Sequence, residues 1–287
     1  MKLSLAHTLR HYDKKNIGKD ILAGLIIMAV SIPISMGYAL IAGLPAVYGL
    51  YGSVFPILAF ALLSTSPQFI FGVDAAPAAL IGSALLTLHV EAESEEAMAI
   101  VPVLTFFVSV WLLAFSFMKA GKLVNYISAP VMGGFITGIC STIILMQVPK
   151  ILGGTAGTGE FFELAKHIGQ TAKHVNMPSI LLGVASLVIL LVAKKLVPKF
   201  PMAVVLMVAG ACYTRVGNVR ELGIQTLSKV ETGLPQWQIP DFSAVSIREA
   251  VTVSLSVAVV IMAETLLAEN NFAQKNGYRI DDNQEIF

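Results

Sequence analysis

Apolar residues in this chain fall in long unbroken runs, unlike the alternation of a half-buried strand or the single stripe of a soluble helix. Seven runs, near 21–43, 48–65, 98–118, 124–148, 178–194, 200–214 and 249–268, predict helical crossings of a hydrocarbon layer about 30 Å thick. A shorter apolar segment lies near 74–89. The pattern predicts an all-α chain, a polytopic transmembrane helical bundle of about eight spans.

The short segment breaks the pattern in an informative way. Its helix-forming stretch, Ala75 to about Leu88, would span roughly 21 Å at 1.5 Å per residue, which is too short to cross alone. Gln68 to Val73, rich in aromatic and β-branched types, suits an extended strand that completes the crossing. Asp74 is placed to cap the helix and Pro77 to occupy its first turn, where a missing N–H removes no intrahelical bond. Extended backbone within a bilayer must be buried in protein or line a cavity. Free N–H groups and the positive helix end at Ala75, Ala76, Ala78 and Ala79 are therefore candidates to bind an anion, and the small side chains let a ligand approach. A re-entrant helix that only packs is the plain alternative. Asp74 complicates the anion reading, because a capping carboxylate takes up the same donors unless it is protonated, turned aside or bound to a co-transported cation. A purely structural cap stays open.

Composition agrees with a membrane chain: 56% hydrophobic, 13% charged, mean hydropathy +0.77. Residues 1–20 are polar and lack a secretory signal's apolar core, so they read as a cytoplasmic N-terminal segment. With the N-terminus cytoplasmic, twelve Lys and Arg fall inside and seven outside, mostly in the longer loops. This places the chain as a multi-pass protein of the plasma or bacterial inner membrane, in contact with the lipid bilayer. A net charge of +1 and no basic, aromatic-interleaved cluster exclude nucleic acid as a partner.

Two further features carry candidate chemistry. Pro33 inside the first run, followed by Ser35, Gly37 and Tyr38, predicts a kinked helix with an inward polar face, and Ser35 and Tyr38 join the candidate substrate site. In the last run Glu264, beside Thr265, is a carboxylate inside an apolar helix, which marks an ion or proton pathway. Counted from the run's ends it lies nearer the cytoplasmic side than the centre, so a side chain reaching for the interface is the alternative. Glu249 and Glu269 sit at the run's ends and are expected to be solvated.

Other signals are weaker. Gly134 and Gly138 have the spacing that lets helix backbones touch. Cys140 and Cys212 read as small buried hydrophobes. The stretch Gly153 to Gly159 reads as an external loop. HExxH, GxSxG and Walker signatures are missing, and the five histidines form no metal-spaced set. No catalytic residue, cofactor or metal is expected, with Na+ left open at Glu264. A membrane-embedded enzyme is the alternative class.

Ile32-Pro33, Met36-Gly37-Tyr38-Ala39 and Ala42-Gly43-Leu44-Pro45-Ala46-Val47-Tyr48-Gly49-Leu50-Tyr51 together closely resemble the SulP sulfate permease signature IPQAMAYA…AGLPPVYGLY. The likeness continues through Ser64-Thr65-Ser66, Gly72, Pro130 to Gly138, Gln147 to Lys150, Glu264, Phe272 to Tyr278 and Asp282 to Glu285, so it covers essentially the whole chain. The resemblance implies a fourteen-helix transporter of two inverted seven-helix repeats with core and gate domains, often followed by a cytoplasmic STAS domain. The eight spans would be the first repeat plus the first helix of the second. Core helices one to four, with half-helix three, would occupy 21–122 and gate helices five to seven 123–216. An extracytoplasmic loop would follow at 217–247, then core helix eight and the start of the link to helix nine at 248–287.

The resemblance further implies secondary active transport of a small inorganic or carboxylate anion, sulfate foremost and bicarbonate as an option, coupled to H+ or Na+ or run as exchange. The anion would lie between half-helix three and a facing half-helix ten beyond residue 287, so this chain is expected to be a truncated piece that does not transport alone. Glu264 occupies the family's acidic position linked to cation coupling, a role extended here to Thr265 and Asp74. A homodimer is open for the full-length protein. Two departures leave the substrate undecided: the family's Gln after the first-helix proline is Ile34, and its Gly-Pro before half-helix three is Gly72-Val73-Asp74. The related nucleobase permeases are the nearest transporter alternative.

Overall fold

The computed structural model describes residues 12–66, 69–122, 129–155, 157, 161–197, 200–219, 221–226, 233–235 and 239–287. Among these the regular structure is helical, after a short 3-10 turn at Lys14–Asn16: α1 Ile17–Ile41, α2 Ala46–Leu63, α3 Ala75–Thr87, α4 Glu95–Phe117, α5 Ala129–Ile151, α6 Phe161–Thr171, α7 Met177–Leu196, α8 Met202–Val216, α9 Ile247–Asn276 and α10 Asp282–Ile286. Eight of these match the eight expected apolar segments. Five, α1, α2, α4, α7 and α9, are long and apolar enough to cross a membrane by themselves, while α3 and α8 are shorter apolar helices. Only 11 to 33% of each spanning window is buried within the chain, so lipid or further protein must cover the rest. The protein is an integral membrane protein.

Several boundaries and burials differ from the expectations, each for a physical reason. Cys140 and Cys212 are free and exposed, not buried, because in a membrane an apolar side chain needs no protein core to leave water. A Cβ at Gly134 or Gly138 would meet nothing within 4 Å, so their spacing serves no close helix contact among the described residues. The strand expected over 68–73 is a non-helical stretch through 69–74, since no second strand lies beside it among the described residues; Gln68 lies outside them. Two helices were not anticipated. One is α6, whose Leu164 is fully buried, and the other is α10, capped by the Asp281 carboxylate on the amides of Asn283 and Gln284.

The chain divides into two compact units, one comprising 1–14, 35–139 and 231–287 and the other 15–34 and 140–230. The first is built on α9 packed along α4. Ala250, Ser254 and Ala258, four residues apart on one face of α9, are completely buried, as are Ala97, Val103 and Leu104 of α4. Small side chains in a row let the two backbones approach, which is how helices gain contact where lipid is as apolar as leucine. Trp111 on α4 donates its indole N–H to the Val251 carbonyl at 3.3 Å. Near the far end of α9, Leu266, Leu267 and Ile286 form an apolar cluster with Leu112, Phe115 and Met262.

In the second unit Asn176 ties three segments together. Its amide N–H bonds to Leu152 just after α5, its side-chain oxygen caps α7 through the Ser179 amide at 2.8 Å, and its side-chain N–H reaches the Leu222 carbonyl at 2.8 Å. The described residues of the Gly153 to Gly159 stretch form a loop, and Gly153 takes a left-handed φ of 93° there.

Candidate functional site

The first unit contains a broken crossing. The thirteen residues of α3 give about 20 Å of helix, and the non-helical stretch through 69–74 leads into it. Asp74 has extended backbone, φ −119° and ψ 153°, and its Oδ1 accepts from the Ala75 N–H at 2.7 Å. Of the next three positions, Pro77 has no N–H and Ala78 donates to the Asp74 carbonyl over a long 3.4 Å. Ala76 donates to nothing among the described residues, and Ala79 is the first residue with a helical carbonyl four positions behind it, at Ala75. Ala75 and Ala78 are buried; Ala76 and Ala79 are half-buried. The helix end thus offers fewer free donors than its four alanines suggest.

Backbone contact holds α3 where it is. A Cβ on Gly82 would stand 2.2 Å from the Ile41 carbonyl oxygen at the end of α1, and one on Gly49 of α2 would stand 2.0 Å from the Ser35 carbonyl oxygen. Glycine is required at both points because the helices touch main chain to main chain. These contacts, unlike Gly134 and Gly138, are close helix-to-helix approaches within this unit, and the two glycines lie in the stretches AGLPAVYGLY and LIGSA.

The candidate side chains divide into those the fold gathers and those it does not. Asp74 is exposed, with Tyr38 of α1 close enough to feel its charge and Glu264 of α9 within hydrogen-bonding reach. Three segments distant in sequence therefore converge at the mouth of α3. Glu264 is only 9% exposed, and its Oε2 has no hydrogen-bond partner among the described residues. α9 runs on to Asn276, so Glu264 is the eighteenth of its thirty residues counted from Ile247. Ser35 is buried, but its hydroxyl bonds to Ser53 of α2, an inter-helix tie. Thr265 is half-buried and makes no side-chain hydrogen bond among the described residues.

Chemically, the site has an open helix end suited to an anion and two carboxyl groups that repel unless a proton or cation lies between them. No group of three His, Cys, Asp or Glu side chains stands ready to hold a metal ion among the described residues.

A carboxylate that sequence reasoning placed in water proves to be buried. Glu269 is 0% exposed, whereas Glu249 is exposed as expected. The reason is the extra turns of α9 and the return of α10, which cover the residue. The only sequence signal was the mixed polar and apolar run Asp282-Asn283-Gln284-Glu285-Ile286, whose Ile286 packs on Leu266 and Leu267.

Comparison with known proteins bears on what this arrangement is for. The family model described as "Sulfate permease family" matches residues 17–287. A probable sulfate transporter of Mycobacterium tuberculosis is 27% identical over 277 residues, 96% of this chain and 49% of that protein. The sulfate transporter of Bos taurus is 27% identical over 99% of this chain and 44% of its own length. Among solved structures, SLC26A9 superposes with a TM-score of 0.81 at 25% identity, covering 98% of this chain and 48% of that one. The transmembrane domain of the cyanobacterial bicarbonate transporter BicA superposes with a TM-score of 0.76 at 20% identity, over 96% of this chain and 70% of that one. The chain spans about half the length of the curated relatives it matches.

Proposed function

The chain belongs to the sulfate permease family, and from that premise we propose that it forms part of a secondary active transporter of a small anion, sulfate foremost. The carrying observation is the meeting of Tyr38, Asp74 and Glu264 at the open end of α3. The anion is held at the α3 end by the Ala76 N–H, the donor left unused there, with the small side chains of Ala75, Ala78 and Ala79 giving it room and Tyr38 beside it. Glu264 and Asp74 hold the coupling ion, H+ or Na+, which offsets their mutual repulsion when the anion arrives. Ser35 positions α1 against α2, and Thr265 lines the cation side.

The helices that bear the site, together with α4 and α9, act as the core, and 123–216 acts as the gate. The clustering of 35–122 with 248–287 supports the core assignment in part, while 123–139 cluster with these residues and 15–34 with 140–230, against the proposed boundaries. The N-terminus lies in the cytoplasm of a cell with this protein in its plasma or inner membrane, a reading supported by the twelve-to-seven distribution of Lys and Arg.

Radiolabelled sulfate uptake into proteoliposomes holding the full-length protein tests this. Saturable uptake driven by an imposed proton or sodium gradient, and lost in Glu264→Gln, is the expected result. Uptake in Glu264→Gln with unaltered rate and unaltered dependence on both gradients would overturn the coupling assignment. Failure of any small anion to be taken up or to compete would overturn the transport reading.

A further inference from the structure

Five residues beyond Glu264, about 7.5 Å along α9, lies a second acidic site that transport at α3 does not use. Glu269 is completely buried, and neither of its carboxyl oxygens has a hydrogen-bond partner among the described residues. Glu285 of α10 faces it within hydrogen-bonding reach, with Asp282 nearby. Glu285 is itself half used: Oε1 accepts the Thr65 amide at 2.6 Å and the Thr65 hydroxyl, while Oε2 is buried and unpartnered. Two carboxyl groups whose unpartnered oxygens are buried and face each other are costly as two anions and favourable when one O–H donates to the other.

Among the described residues no base faces them. Asp282 accepts from the Asn270 side chain at 2.9 Å. Along Phe106–Phe117 α4 carries no titratable group, and its Ser116 hydroxyl donates to the Asn283 carbonyl. After α4, Lys119 and Lys122 flank Gly121, which abuts Asp282; both lysines are exposed. From the 64–66 turn come Thr65 and Ser66, the latter paired with the Tyr278 hydroxyl at 3.1 Å. Lys275 and Arg279 are exposed, Asp281 caps α10, and α3 brings no titratable group besides Asp74, which stands at Glu264. The three acids do not form a metal-holding set.

We propose that Glu269 and Glu285 together bind one proton, donated by one carboxyl to the unpartnered oxygen of the other, and that this proton clamps the end of α9 to α10 and to the 64–66 turn. The proton is the ligand of the site; its loss leaves two facing anions, and the clamp opens. This is independent of the transport reading, since neither group takes part at α3.

Infrared difference spectra of the full-length protein in liposomes, taken between neutral and alkaline pH, test the proposal. In a Glu264→Gln background, which removes the other carboxyl pair, a protonated-carboxyl stretching band should persist at neutral pH and vanish at alkaline pH. In Glu264→Gln/Glu269→Gln that band should be lost. Its survival overturns the proposal, and so does its replacement at constant pH by added Na+ or Ca2+, which would make the site a cation site. Where the double variant does not fold, hydrogen exchange at the Thr65 amide in the wild-type protein and in Glu269→Gln decides. Protection should fall about tenfold per pH unit above the transition in the wild type, the slope of one linked proton, and stay flat in Glu269→Gln. Equal slopes in the two proteins overturn the clamp.

Discussion

Helix α9 carries two carboxyl pairs, Glu264 with Asp74 and Glu269 with Glu285, and they differ in who can reach them. Asp74 is exposed at the end of a broken crossing, beside a helix end with an unused N–H. Glu269 is sealed by α10 and by the turn at Thr65. On the readings proposed above, the same chemistry serves two ends: an accessible pair exchanges its ion each cycle, while an enclosed pair holds one to keep structure together. Position on one helix does not decide this. What decides it is whether the partner segment is a mouth or a lid.

The largest expected effect separates the pairs directly. Glu264→Gln should lower coupled anion uptake by about a hundredfold, whereas Glu269→Gln should leave uptake within about twofold at neutral pH, because Gln can still donate an N–H to Glu285. Radiolabelled uptake into proteoliposomes checks both, and a reversed order would break the comparison.

The scaffold comes next. Gly82→Ala drives a methyl to 2.2 Å from the Ile41 carbonyl and should destabilise the protein by about 2 kcal/mol. Gly134→Ala, with open space around it, should change stability by less than about 0.5 kcal/mol. Thermal unfolding in detergent measures the pair.

Smaller again is Asp74→Asn, expected to weaken uptake by about tenfold while weakening its dependence on the coupling gradient, since an amide cannot replace the second charge. If the rate falls with gradient dependence intact, Asp74 is only a cap.

The smallest effect concerns a carboxylate in water before the start of α9. The Ser243 hydroxyl and amide hold the Asp241 carboxyl below its usual range. A lowered folded value adds stability that is complete above the unfolded value and is lost as pH falls through the folded one. Ser243→Ala should move the acid limb of the unfolding-temperature profile slightly upward in pH, and leave the alkaline limb, where Glu269 is proposed to act, unmoved.

Much of the fold was legible because membrane burial writes itself in long apolar runs. The short helix after Asp74, its cap and Pro77 in its first turn follow from local rules, and each appears where those rules put it. The ends were less legible. The last span was expected to stop near residue 268, yet α9 continues to Asn276 and closes on Gly277 at φ 74°. Its final turns are polar on one side and buried by α10 on the other, so hydropathy falls before the helix does. Amphipathic α6 was missed for a related reason, because a run test does not see an apolar stripe such as Phe161, Leu164, Ala165 and Ile168 with polar residues between its members.

Within the candidate site, Asp74 and Glu264 could be named singly, one as a cap and one as a misplaced charge, while their meeting could not. The residues of the Gly49 and Gly82 contacts stood in plain view, but nothing local distinguishes them from Gly134 and Gly138. Sequence alone determined what is local or set by the solvent: helices where apolar runs cross a bilayer, a break where a capped helix is too short, and an acid inside an apolar span. Only the tertiary structure decided which glycines touch backbone, which hydroxyl is spent on packing and which carboxyl faces which. Those outcomes depend on where α3, α4 and α10 fold back against α9, over separations of up to 220 residues, and no residue's neighbours along the chain encode them.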